Sequence, residues 1–231
     1  EAYEAARPYE KAKLASYGLT YARRLAEAGN MEAAYTICDY LRSHGQVNVR
    51  SAALATLIDI GHPSAQSLLL AAMDDPDLAY RAAALKFAAR FPSTEATREW
   101  LNRMKDASPE VQAEIITMLG ARGDNTASNT LARQILAEDK VVRLAAIDAT
   151  TLLAGSRAVS PMLHRLSDGA EDDEIQAIQS ALLRIPGRQV VKACGQALNK
   201  TPAPARIALL GVLKQRRGET VRREVFVQAG D

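Results

Sequence analysis

A chain of 231 residues with 29 Lys+Arg against 27 Asp+Glu carries a formal net charge of only +2, too little for nucleic-acid or membrane-surface binding driven by overall charge. Hydrophobic residues make up 48% of the chain but aromatics only 5%, and the dominance of Ala and Leu predicts helices rather than strands. No apolar run approaches the ~20 residues of a membrane helix, and no signal peptide is visible. No membrane partner is therefore expected, and the compartment is left open. The chain begins with Glu rather than Met and is read as a processed protein or a piece of a longer one.

In chain order, residues 1–46 predict a helical hairpin, with helices over 11–28 and 31–43 around Gly29-Asn30, serving as a cap or the end of an earlier repeat. Residues 47–217 repeat. An anchor Arg or Gln falls at Arg50, Arg81, Gln112, Arg143, Gln176 and Arg206, at successive intervals of 31, 31, 31, 33 and 30. A break follows each anchor at Gly61, Pro92, Gly123, Gly155, Gly187 and Gly218, where glycine permits the left-handed residue that ends a helix. A second break, often acidic, precedes the next anchor, with Pro76 and Pro109 suited to the first turn of the following helix. Each unit thus reads helix, turn, helix, acidic turn. Matching offsets are apolar: Leu54, Leu85, Ile116 and Ile147 in first helices, Leu69, Trp100, Leu131 and Met162 in second helices. Such amphipathic pairs must stack to cover their apolar edges. The fifth unit carries two extra residues in the acidic run at 171–174, and residues 218–231 read as a C-terminal extension or a truncated repeat.

The Asp75-Pro76 turn, the anchor Arg81 with Ala83 and Ala84, the Leu-rich helix, the break and the second helix resemble the short bacterial HEAT-like repeat, a type also found in phycobilin lyases. The resemblance implies an all-α fold, a right-handed α-solenoid (an α-α superhelix of armadillo-like kind) of about five and a half repeats. It also implies that second helices line a concave groove. On that assignment the five second-helix segments hold nine Lys/Arg and three acids, while the rest of 47–187 holds eight Lys/Arg and fifteen acids. Two polar rows fall on exposed offsets. One runs Ser67, Arg98, Asn129, Ser160, Lys192; the other runs Ala71, Asn102, Arg133, His164, Gln196. Arg and Asn donate hydrogen bonds in fixed geometry to carboxylates. Arg98, Asn102, Asn129, Arg133, His164, Lys192 and Gln196 are therefore the candidate partner-binding residues, and a protein or acidic peptide segment the expected partner.

Catalytic signals are weak. His44, His62 and His164 show no metal-ligand spacing. No serine sits in a nucleophile elbow. Cys38 and Cys194 read as small core residues, and the acidic run as a helix N-terminus rather than a calcium loop. No catalytic residue, metal or cofactor is expected. The sequence predicts a non-catalytic protein-interaction scaffold within a longer protein. The alternative is an accessory domain of a larger bacterial enzyme. A DNA alkylation-repair-like or bilin-lyase-like HEAT protein stands behind both, since Trp100 falls at a core offset and the basic excess is small for phosphate tracking.

Overall fold

Ala- and Leu-rich sequence becomes helix almost throughout. The computed structural model describes residues 7–90 and 93–228, with the backbone alone for residues 8, 152 and 217–228. Among the described residues there are thirteen α-helices and no strand. The chain divides into two compact units, Glu1–Phe91 and Pro92–Asp231. The predicted break at Pro92 lies outside the described residues.

The first unit contains α1 (Pro8–Glu27), α2 (Met31–His44), α3 (Val47–Asp59), α4 (Ala65–Ala71, continued by a 3-10 turn, Ala72–Asp74) and α5 (Leu78–Ala88). On α1, Ala15, Leu19 and Ala22 form a buried stripe at helical spacing, and they share one core with Ala34, Cys38 and Leu41 of α2 and Val49, Ala53 and Leu57 of α3. The N-terminal hairpin is thus continuous with the first repeat. Asp77 caps α5, its carboxylate accepting from the backbone N–H of Ala79 at 2.8 Å and Tyr80 at 3.3 Å. Pro76 accordingly stands one residue before the cap, not in the first turn, because the Asp side chain satisfies the helix's free N–H groups. Pro109 does occupy the first turn of its helix.

The second unit contains α6 (Thr94–Lys105), α7 (Pro109–Arg122), α8 (Ser128–Gln134), α9 (Lys140–Leu153), α10 (Val159–Ser167), α11 (Asp172–Arg184), α12 (Arg188–Ala197) and α13 (Ala203–Gln228). First helices α7, α9, α11 and α13 pack in succession, and second helix α10 packs beside α12. Trp100, Leu131 and Met162 are fully buried, as the repeat offsets require. Gly123 ends α7 with φ 75°, and the predicted breaks Gly61, Gly155 and Gly187 also carry positive φ. Gly218 does not break the chain. Helix α13 runs through it to Gln228, because one glycine costs a helix only about 1 kcal/mol and the flanking Arg, Glu and Gln are good helix formers.

One glycine serves packing rather than turning. Gly120 is buried inside α7, and a Cβ there would lie 2.6 Å from the Cβ and 2.8 Å from the Cα of Ala149 on α9. The two helices touch backbone to side chain at this point. Gly120→Ala gains helix propensity but forces α7 and α9 apart. A net loss of about 1–2 kcal/mol is expected, readable as a lower urea midpoint; an unchanged midpoint would mean the helices separate freely.

The anchors have a physical role that spacing alone did not reveal. Arg81 Nη1 donates to the Asp75 carbonyl at 2.9 Å, Gln112 Nε2 to Ala107 at 2.9 Å, and Arg206 Nη2 to Thr201 at 3.0 Å. Arg143 Nη1 donates to Ala137 at 3.0 Å and Glu138 at 2.5 Å. Each anchor thus satisfies carbonyls of the turn that leads into its own helix. Arg50 instead pairs with the Asp75 carboxylate and lies 4.2 Å over the Tyr80 ring, which ties α3 to the following turn.

The fifth unit is the exception. The residue before each anchor is buried at Val49, Tyr80, Val142 and Ala205, and the residue four later is buried at Ala53, Ala84, Ala146 and Leu209. Glu174 and Ile178 fit that pattern, both 0% exposed, whereas Gln176 is exposed. The register therefore places Ile175, not Gln176, in the anchor position. The unit carries one extra residue, giving intervals of 32 and 31, and a glutamate fills a slot that is apolar in those other units.

Candidate functional site

The buried glutamate is held by two arginines. Arg143 Nε donates to Glu174 Oε1 at 2.5 Å, and Arg165 donates through Nε to Oε1 at 3.0 Å and through Nη2 to Oε2 at 2.8 Å. The Glu171 backbone N–H adds a bond to Oε2 at 3.1 Å. Burial alone would raise the carboxyl pKa, but the hydrogen bonds from Arg165 and Arg143 overcome it and hold it at about 2. Beside this, Lys140 pairs with Glu171 at 2.9 Å and Asp173 at 2.7 Å. The acidic run is thus engaged as a clasp between α9, α10 and α11. Arg165, counted in the sequence among the basic charges of the groove, turns away from solvent to neutralise Glu174.

All seven candidate partner-binding residues lie in the second unit and all are exposed. Arg98 and Asn102 stand one turn apart on α6, Asn129 and Arg133 on α8, His164 on α10 beside exposed Ser160, and Lys192 and Gln196 on α12. Asn102 Oδ1 accepts from Lys105 Nζ at 3.0 Å, and His164 Nε2 lies 3.6 Å from Asp168 Oδ2. Ser67 and Ala71, the first members of the two rows, belong to the first unit. Of the seven, the structure brings His164 and Gln196 into one cavity of about 560 Å³ between α10 and α12. The other five stand on the surface outside its lining.

The residues that hold these short helices in place escaped the sequence reading. Thr97 is buried on α6 and donates to Asp124 Oδ2 at 2.7 Å, so that this hydroxyl leads in holding the Asp124 carboxyl below its ordinary range. Arg157 Nη1 donates to Ser128 Oγ at 3.0 Å, tying the start of α10 to α8. Arg122 Nη2 donates to the Ser93 carbonyl at 2.8 Å, and Arg216, at the same offset from its anchor, donates to the Ile185 and Gly187 carbonyls. Recurrence at separations of 27 to 31 residues is the signal that could have found them: about one repeat length separates each donor from its acceptor. Burial raises both cysteine thiols, that of Cys38 to about 11, which suppresses the nucleophilic thiolate.

No helix among the described residues is long and apolar enough to cross a membrane. No curated protein matches the chain. A family model of HEAT repeats matches residues 19–89 and 97–183. Together these two segments span most of the chain and take in the stacked helix pairs of both units. This all-α solenoid of paired helices therefore belongs to the HEAT-repeat family.

Proposed function

We propose that this chain is a non-catalytic interaction scaffold whose second-helix layer in the second unit offers a mildly basic groove to an acidic peptide or protein segment. The observation that carries the reading is the run of exposed pairs Arg98/Asn102, Asn129/Arg133, Ser160/His164 and Lys192/Gln196 on α6, α8, α10 and α12. None of the eight is a carboxylate. Six of them are Arg, Lys, Asn or Gln, whose N–H groups donate to carboxylates. The non-catalytic part is supported by what the shifted groups do. Strong pKa shifts cluster at active sites, yet here Glu174 is shifted by a buried clasp and the cysteines by burial in the core.

Capture of partners from a lysate of the source cell tests this reading, with wild type beside the Arg98→Glu/Arg133→Glu double variant. Placing acids opposite an acidic partner costs several kcal/mol, so a partner retained by wild type and lost by the variant is the expected result. Equal capture by both would remove the groove as the binding surface.

A further inference from the structure

The cavity between α10 and α12 has features that make it more than a gap between helices. Its volume of about 560 Å³ falls within the ~300–1,000 Å³ typical of ligand pockets. Its two walls are matching helical stripes. Ser156, Ser160 and Ser167 face it from the α10 side, and Gln189, Gln196 and Lys200 from the α12 side. Between them Val159, Leu163 and Ala193 supply apolar surface. His164 completes the polar lining, and no carboxylate is part of it. Every polar side chain in the wall can donate a hydrogen bond, and its one permanent charge is positive.

We infer that this cavity is the anchoring pocket of the groove: it takes a short stretch of the acidic partner, with a carboxylate toward Lys200 and aliphatic carbons against Leu163 and Val159. The inference rests on the proposed acidic partner and adds where its main anchor sits. Lys200 supplies the attraction. The serine hydroxyls and glutamine amides supply donors to carboxylate and peptide carbonyls. The apolar surface accepts the side-chain methylenes of a glutamate, which a bare inorganic anion lacks. Arg98 and Arg133, on α6 and α8, lie outside the lining and extend the contact without forming the pocket.

The test is a titration of the whole chain, isotope-labelled, with a terminally blocked tri-glutamate peptide, beside tri-glutamine and sodium phosphate. Tri-glutamate is expected to shift the amide resonances of α10 and α12 with millimolar affinity. Lys200→Met and Leu163→Gln are expected to weaken this at least tenfold, while Arg98→Glu/Arg133→Glu changes it less. Equal shifts from tri-glutamine would overturn the carboxylate assignment, and equal shifts from phosphate the role of the apolar surface. Shifts confined to α6 and α8 would overturn the pocket while leaving the acidic-partner reading intact. Absence of any shift from tri-glutamate would overturn the pocket, and capture by the wild-type chain would then decide separately on the broader reading.

Discussion

Glu174→Ala is expected to lower the unfolding free energy by about 3–5 kcal/mol, the cost of stranding a buried charge. Both Arg143 and Arg165 are largely buried and point at a carboxylate with no exposure to water. Removing the carboxylate leaves two guanidinium groups side by side without their shared counter-charge, although Arg143 keeps its bonds to the Ala137 and Glu138 carbonyls. Replacing all three residues with apolar ones of similar volume should recover most of the loss, because it also removes the desolvated charges. Equilibrium urea unfolding of the three proteins checks both statements. A loss below about 1 kcal/mol for Glu174→Ala, as at an exposed pair, would mean the clasp is hydrated in solution.

The same group sets a pH dependence. The Glu174 carboxyl titrates at about 2 when folded, against an ordinary value of 4.5. A depressed folded pKa stabilises the charged form, so the contribution is full above about pH 4.5, declines as pH falls, and is gone below about pH 2. The gap corresponds to about 3 kcal/mol. Wild type should therefore lose stability between pH 4.5 and 2 more steeply than Glu174→Gln. Parallel curves for the two proteins would assign the acid sensitivity to other carboxylates.

Trp100→Ala is expected to be as costly, about 3–5 kcal/mol, because the single tryptophan is fully buried at the centre of α6. Trp100→Phe should behave quite differently. The indole Nε1 is buried without a hydrogen-bond partner among the described residues, and an unsatisfied buried donor costs about 1–3 kcal/mol. Phenylalanine gives up ring volume but also removes that donor, so a net change within about 1.5 kcal/mol is expected. Unfolding followed by far-UV circular dichroism measures both, since neither variant retains a tryptophan signal. If phenylalanine costs as much as alanine, the indole N–H has a partner in solution, such as a buried water.

Helix content, the repeat, the buried offsets and most breaks were legible because each follows from local periodicity. Leu69, Trp100, Leu131 and Met162 recur at one spacing and are all buried. Exposure of Arg98, Asn102, Asn129 and Arg133 was legible for the same reason. The register of the fifth unit was not. A glutamate in a core position looks like an error until Arg143 and Arg165 are seen to reach it, and those contacts cross 31 and 9 residues. Gly218 misled because a glycine marks a break only where another helix must fold back. The cavity between α10 and α12 arises from two short helices facing each other, and neither helix alone predicts it.

Repeat arrays change length by duplicating or deleting whole units, and that freedom depends on each joint being interchangeable. The joint at Glu174 is not. If the pair α9–α10 were deleted, α11 would follow the unit whose anchor is Gln112 and whose residue in the place of Arg165 is Gln134. The carboxylate would then be buried against two neutral amides, and the new joint would carry the penalty of an unpaired charge. The fifth unit thus accepts some predecessors and rejects others, and the order of the units is written into the chain by one residue.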